Sequence, residues 1–150
     1  MNKPKPGRII GIDYGQARIG VAFSDERKII ASPLMTVQTD KKLDITAAKL
    51  LGELEKHQNE YRYVIEEIII GLPLMMNGTH GLLADEVKQF VEALNKISLL
   101  PVKTWDERLT SVQAERSLRE SSMTRKARTK HVDQVSAAII LQSYLDLARQ

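Results

Sequence analysis

The residues best suited to chemistry in this chain are acids that stand at the ends of apolar segments. Asp13 closes a short run of isoleucines, Glu107 follows an apolar run, and Asp133 opens a helical pattern. Carboxylate oxygens are the ligands that Mg²⁺ and Mn²⁺ prefer, and a pair of such ions can hold a phosphoryl group during in-line displacement. The set of acids therefore indicates a metal-dependent site for phosphate chemistry.

Each acid also has an ordinary interpretation. Asp13 could be a turn residue, and Asp133 could complement the dipole of its helix. Asp106 and Glu107 could be surface acids paired with Arg108. Two arguments favour a site: a carboxylate in a buried strand is costly without a positive partner, and ligands of open α/β sheets bind beyond the strand ends.

Basic residues without neighbouring acids are concentrated between Arg125 and His131. Such a run is usually a solvated face, but beside a carboxylate cluster it would bind a nucleic-acid backbone through Lys126 and Arg128. We expect the polar segment 115–131 to be more mobile than the rest of the chain. The loop that contains Asn77 can present amides to a phosphate, although glycine-rich loops more often simply turn the chain.

The apolar patterns predict the element order β-β-β-α-β-α-β-α-α. The predicted strands cover 8–13, 18–24, 29–37, 64–70 and 100–105, and the predicted helices include 43–59, one around Val87 and Phe90, one capped by Thr110 and Gln113, and one from about Asp133. Short links between the first three strands indicate an antiparallel meander, and later strands separated by helices should pair in parallel. The predicted fold class is α/β, a mixed five-stranded sheet with helices on both faces.

Composition limits the possible classes of protein. The chain has 150 residues, a net charge of +3 and no cysteine. This predicts one domain over 1–150 with a flexible tail at 1–7, and a reducing, cytoplasmic location. No apolar run approaches the roughly 20 residues of a membrane span, so no membrane partner is expected.

Four stretches together resemble the YqgF family, whose members are Holliday-junction-resolvase-like and are also described as pre-16S rRNA nucleases. They are Gly11-Ile12-Asp13-Tyr14-Gly15 through Ala22, Gly71-Leu72-Pro73 through Thr79, Asp106-Glu107-Arg108-Leu109-Thr110, and Val132-Asp133 through Gln142. The resemblance implies an RNase H-like fold. It also implies a metal-dependent phosphodiesterase that acts on structured nucleic acid and trims the 5′ end of small-subunit ribosomal RNA.

Carried over to this sequence, the resemblance implies that Asp13, Glu107 and Asp133 are the catalytic metal ligands, with Mg²⁺ or Mn²⁺ as the cofactor. Junction-cutting relatives place an acid at the end of strand four, where this chain has Gly71-Leu72-Pro73, so Glu107 must substitute. The family often shows Asn and Asp in the following loop, where this chain has Met75 and Asn77, and a metal role for that loop is not implied. The residues expected to bind substrate are Arg18, Arg108, Thr110, Lys126, Arg128 and Asn77.

Several alternatives remain open from the sequence. The chain could be a non-catalytic RNA-binding factor in ribosome assembly or transcription, or a resolvase of Holliday-junction DNA. Gly11 to Gly20 also resembles the phosphate loop of actin-like and sugar-kinase ATPases, but those enzymes close two domains around a nucleotide. We expect nucleic acid as the partner, precursor rRNA before branched DNA, and a monomer or weak homodimer. The sequence does not distinguish endonuclease from exonuclease.

Overall fold

The protein is described by a computed structural model covering residues 4–74, 81–109 and 132–148. Five strands in these ranges form one sheet: β1 (Gly7–Asp13), β2 (Arg18–Ser24), β3 (Ala31–Gln38), β4 (Val64–Leu72) and β5 (Val102–Asp106). A 3₁₀ turn, Glu107–Leu109, follows β5, and the helices are α1 (Leu43–Tyr61), α2 (Leu82–Ile97) and α3 (Val132–Ala148).

The strand order is β3-β2-β1-β4-β5, which places β1 at the centre. β1 pairs with β2, and β2 with β3, in the antiparallel sense, whereas β4 pairs in parallel with both β1 and β5. The predicted mixed sheet of an antiparallel meander followed by parallel strands is confirmed. In the described ranges, no helix has the length and apolar character needed to cross a membrane.

Helices cover both faces of the sheet, as the alternation of side chains along β1 shows. Ile10 and Ile12 belong to the core that α1 and α2 share, whereas Ile9 packs in a second core with Leu141 of α3. A Cβ atom at Gly11 would lie 2.6 Å from the Cβ of Leu141, so α3 lies directly on the backbone of β1. Successive side chains of a strand alternate between faces, and Asp13 therefore lies on the α3 face of the sheet.

The third strand begins later than its sequence pattern suggests. Isoleucines 29 and 30 were expected in the strand, but Oδ1 of Asp25 accepts hydrogen bonds from the amides of Ile29 at 2.7 Å and Ile30 at 3.0 Å. The aspartate thus holds both residues in the turn, and β3 begins at Ala31. β3 is an edge strand, where a proline is tolerated, and its register with β2 shifts beside Pro33.

Other boundaries differ by a few residues. The predicted tail at 1–7 is too long, because Gly7 pairs with Val64 and the carbonyl of Pro6 accepts the Val64 amide at 2.9 Å. In α3, Ala138, Leu141 and Leu145 are buried, at the spacing of one helical face. The helix expected from Thr110 and the segment 115–131 lie outside the described residues.

Candidate active site

Asp13 stands at the end of the central strand, where the antiparallel register places it opposite Gly20. Burial, followed by the negative charges of Glu107 and then Asp133, raises the pKa of Asp13 to about 7. A carboxyl group responds in this way when it is removed from water and surrounded by like charges. The negative charges of Glu107 and Asp133 therefore act on Asp13 at this end of the sheet.

Glu107 reaches this end of the sheet through a gap left by a glycine of β4. A Cβ atom at Gly71 would lie 2.9 Å from Oε1 of Glu107 and 2.6 Å from Cδ1 of Ile140. Burial, with a smaller contribution from the charge of Asp106, raises the pKa of Glu107. A larger residue at Gly71 would displace the carboxylate of Glu107 or the side chain of Ile140.

The turn that carries Glu107 is fixed to α3 by a buried hydroxyl. Nε1 of Trp105 donates to Oγ of Ser143 at 3.2 Å, and Oγ of Ser143 donates to the carbonyl of Leu109 at 2.8 Å. These bonds connect β5, just before the Glu107 turn, and Leu109, the last residue of that turn, to the helix that bears Asp133. Ser143 was not predicted from the sequence. A single hydroxyl on the buried stripe of an apolar helix could have indicated it.

Asp133 is positioned by a close approach of two backbones. A Cβ atom at Gly20 would collide with the main-chain carbonyl of Asp133, so the first turn of α3 can rest on β2 only because residue 20 is glycine. The side chain of Asp133 is not free, since its Oδ2 lies 3.0 Å from Nε of Arg18. Arg18, which was expected to bind substrate, thus lies at the predicted site. In this structure its guanidinium contacts Asp133, one of the acids of that site.

Arg108 is also engaged with an acid, although one outside this set. Its Nε lies 3.0 Å from each carboxylate oxygen of Asp106, and its Nη2 lies 2.6 Å from Oδ2. The ordinary interpretation of Asp106 as a surface acid paired with Arg108 is confirmed. The other residues expected to bind substrate, Asn77, Thr110, Lys126 and Arg128, lie outside the described residues.

The loop after Asp13 is held by helix α2. The Tyr14 ring packs on Phe90 with centroids 4.9 Å apart, and Nε2 of Gln16 donates to Oε2 of Glu86 at 3.2 Å. Burial and the nearby Glu86 raise the pKa of Tyr14 to about 12, so its hydroxyl stays neutral at physiological pH. Glu86 was not predicted from the sequence, and it fixes the loop beside Asp13 through Gln16.

The placement of the three acids bears on how they could hold an ion. Among the residues that the structure describes, no group of three or more His, Asp or Glu side chains is arranged to hold a metal. One oxygen of Asp133 lies instead 3.0 Å from Nε of Arg18. A cavity of about 370 Å³ lies at the opposite end of the parallel strands, against Val64 and Leu100, and contains none of these acids.

The strand order β3-β2-β1-β4-β5, with an acid at the end of the central strand, is that of an RNase H-like fold. The structure resembles RuvC from Thermus thermophilus in complex with a Holliday junction, with a TM-score of 0.59 and 15% identity over 95% of this chain and 94% of that one. It also resembles the Holliday junction resolvase of fowlpox virus, with a TM-score of 0.52 and 12% identity over 93% and 99% of the two chains. At these identities the likeness is one of fold.

Sequence comparison identifies the family within this class. The family model RuvX, described as Holliday junction resolvase, matches residues 7–147. A protein of Protochlamydia amoebophila named "Putative pre-16S rRNA nuclease" is 62% identical over 145 residues, which are 97% of each chain. A protein of the same name from Caldanaerobacter subterraneus is 41% identical over 140 residues, 93% of this chain and 96% of that one. The chain belongs to the YqgF family, also called RuvX, as its sequence motifs indicated.

Proposed function

We propose that this protein is a divalent-metal-dependent nuclease that hydrolyses phosphodiester bonds in structured nucleic acid, with the 5′ end of precursor 16S rRNA as its substrate. One observation carries the proposal: burial, followed by the negative charges of two further acids, raises the pKa of Asp13 to about 7. A site with this excess of negative charge is suited to a cation. The names of the relatives support rRNA as the substrate.

The residues present fit a hard divalent ion. Asp13, Glu107 and Asp133 would hold it, and all three offer only oxygen donors, which suit Mg²⁺ and Mn²⁺. A bound ion of this kind lowers the pKa of a water molecule and stabilises charge on phosphate oxygens. The like-charge repulsion that raises the pKa of Asp13 would decrease in the presence of the cation.

The chain's own residues supply position and charge. Asp13 is fixed by the central strand, and the Glu107 turn is fixed by the hydrogen bonds of Ser143 with Trp105 before it and Leu109 at its end. Arg18 has 60% of its side chain exposed, so its guanidinium is accessible to a phosphate of the substrate. None of these groups needs to act as a covalent nucleophile. A nuclease of precursor rRNA would work in the cytoplasm of a bacterium.

A second candidate, an RNA-binding factor without catalysis, is favoured by one observation. In the described residues, no group of three or more acids is arranged as a metal site, and Asp133 forms an ion pair with Arg18. A protein that retained this arrangement throughout would bind phosphates and cut none. The two candidates differ in a simple cleavage assay.

The assay uses the purified protein with an end-labelled precursor 16S rRNA fragment and, separately, a four-way DNA junction. Each substrate is incubated with Mg²⁺, Mn²⁺ or EDTA. We expect cleavage of the RNA with either metal and none in EDTA. Cleavage of the junction alone would assign the protein to DNA resolution. Binding of RNA without cleavage in any metal would favour the non-catalytic factor.

A further inference from the structure

We infer that Arg18 is a built-in counter-ion that competes with the divalent metal for Asp133 and passes to a nucleic-acid phosphate when the metal binds. The inference rests on the proposed function and adds a regulatory step to the same site. Its basis is the contact of 3.0 Å between Nε of Arg18 and Oδ2 of Asp133. The metal, on this account, must displace a side chain of the protein itself.

The backbones on either side of this contact are fixed. Helix α3 rests on Gly20 of β2, and Nε2 of Gln134 donates to Oγ1 of Thr36 on β3 at 3.0 Å. The hairpin that precedes Arg18 is held by the hydroxyl of Thr39, which donates to the carbonyl of Gly15 at 2.7 Å. Exchange of Asp133 between Arg18 and a metal therefore requires only side-chain rotation.

The ion pair between Arg18 and Asp133 is weak enough for the exchange to be reversible. The side chains of Arg18 and Asp133 are 60% and 30% exposed, so water screens their attraction and the ion pair is weak enough to open. A dication bound by the acids would satisfy Asp133 more strongly than one guanidinium does. The released guanidinium can bind a phosphate with two parallel hydrogen bonds, which is the geometry that arginine favours. Metal and nucleic acid should therefore strengthen each other's binding.

The test is a calorimetric titration of Mn²⁺ into the metal-free protein and its variants. Arg18→Gln removes the competitor and should bind Mn²⁺ about fivefold more tightly, the upper range for a partly exposed ion pair. Arg27→Gln is the matched control, because Arg27 is exposed in the turn at the other end of β2 and its loss changes the net charge equally. Its Mn²⁺ affinity should stay within about twofold of the wild type. Arg18→Lys keeps the charge and should stay near the wild type.

A second measurement tests whether the released Arg18 side chain contributes to RNA binding. Ca²⁺ should tighten binding of an RNA fragment to the wild type and to Arg27→Gln, and this coupling should be largely lost in Arg18→Gln. Mn²⁺ binding by Arg18→Gln no tighter than by the wild type would overturn the inference, as would full coupling in that variant. Neither readout depends on cleavage. If the wild type cuts RNA with metal while Arg18→Gln titrates like the wild type, only this inference fails. If Arg18→Gln binds Mn²⁺ more tightly but no protein cuts, only the proposed function fails.

Discussion

Replacing Asp13 by asparagine should stabilise the metal-free protein while it removes a ligand. The pKa of Asp13 rises from an ordinary 3.8 to about 7, a shift of about 3 units. At 1.36 kcal/mol per unit, this corresponds to at most about 4 kcal/mol of repulsion and lost hydration above pH 7. Because structures relax around a buried charge, we expect about 2–4 kcal/mol of added stability for Asp13→Asn at pH 8.

The sign follows from proton binding. Folded wild type holds the Asp13 proton up to about pH 7, whereas the unfolded chain releases it near pH 3.8, so wild-type stability decreases as the pH rises between these values. The difference in stability between Asp13→Asn and the wild type should therefore be close to zero at pH 4. It should increase between pH 4 and pH 7 and stay constant above pH 7. Saturating Mg²⁺ should stabilise the wild type at pH 8 and reduce the difference.

The assay is urea unfolding of both proteins in EDTA between pH 4 and pH 8. Asp44→Asn is the matched control, since Asp44 is exposed in the first turn of α1. Its loss should destabilise the protein by about 0.5 kcal/mol, through the helix dipole alone. If metal-free Asp13→Asn is less stable than the wild type at pH 8, the claim that the Asp13 charge is repelled in the folded protein is refuted. That result would mean that the charge is compensated in the folded state.

Two further substitutions test how the acids are positioned. Gly20→Ala should destabilise the protein by about 2–3 kcal/mol and abolish cleavage, because the new Cβ collides with the Asp133 carbonyl; Gly52→Ala, at a helical glycine with nothing within 4 Å, should instead stabilise by about 0.5–1 kcal/mol in the same urea assay. Ser143→Ala removes the bonds to Trp105 and Leu109 and should cost about 1–3 kcal/mol, with a lower cleavage rate from a displaced Glu107. Unchanged cleavage in Ser143→Ala would show that the Glu107 turn needs no support from α3.

Much of the fold could be predicted because local patterns and long-range packing agree in this chain. The isoleucine runs form buried strands, and the spacing of Val87 and Phe90 gives a helix whose buried face includes both residues. Short links imposed antiparallel pairing on β1 to β3, and helical connections imposed parallel pairing on β4 and β5. The start of β3 could not be predicted, because a side chain in the turn, Asp25, competes with the strand for backbone amides.

The candidate acids were chosen from their positions at element ends, and their role stays a prediction; their contacts could not be predicted. Arg18 follows Asp13 by only five positions, yet its contact is with Asp133 in α3, the helix that packs on β2. Such a pairing depends on how closely α3 approaches β2, which is set by Gly20. Ser143 and Glu86 were missed for the same reason, since their contacts join residues distant in sequence.

The central claim is that Asp13 and its neighbouring acids catalyse metal-dependent hydrolysis, and single-turnover cleavage of a labelled precursor 16S rRNA fragment tests it most directly. We expect Asp13→Asn, Glu107→Gln and Asp133→Asn each to lose at least about 100-fold in rate with Mg²⁺, because a lost metal ligand removes several kcal/mol of transition-state stabilisation. All three should still bind the RNA, and Asp44→Asn should cleave at the wild-type rate. Wild-type cleavage by Asp13→Asn would contradict the account, since the chemistry would then lie elsewhere on the protein.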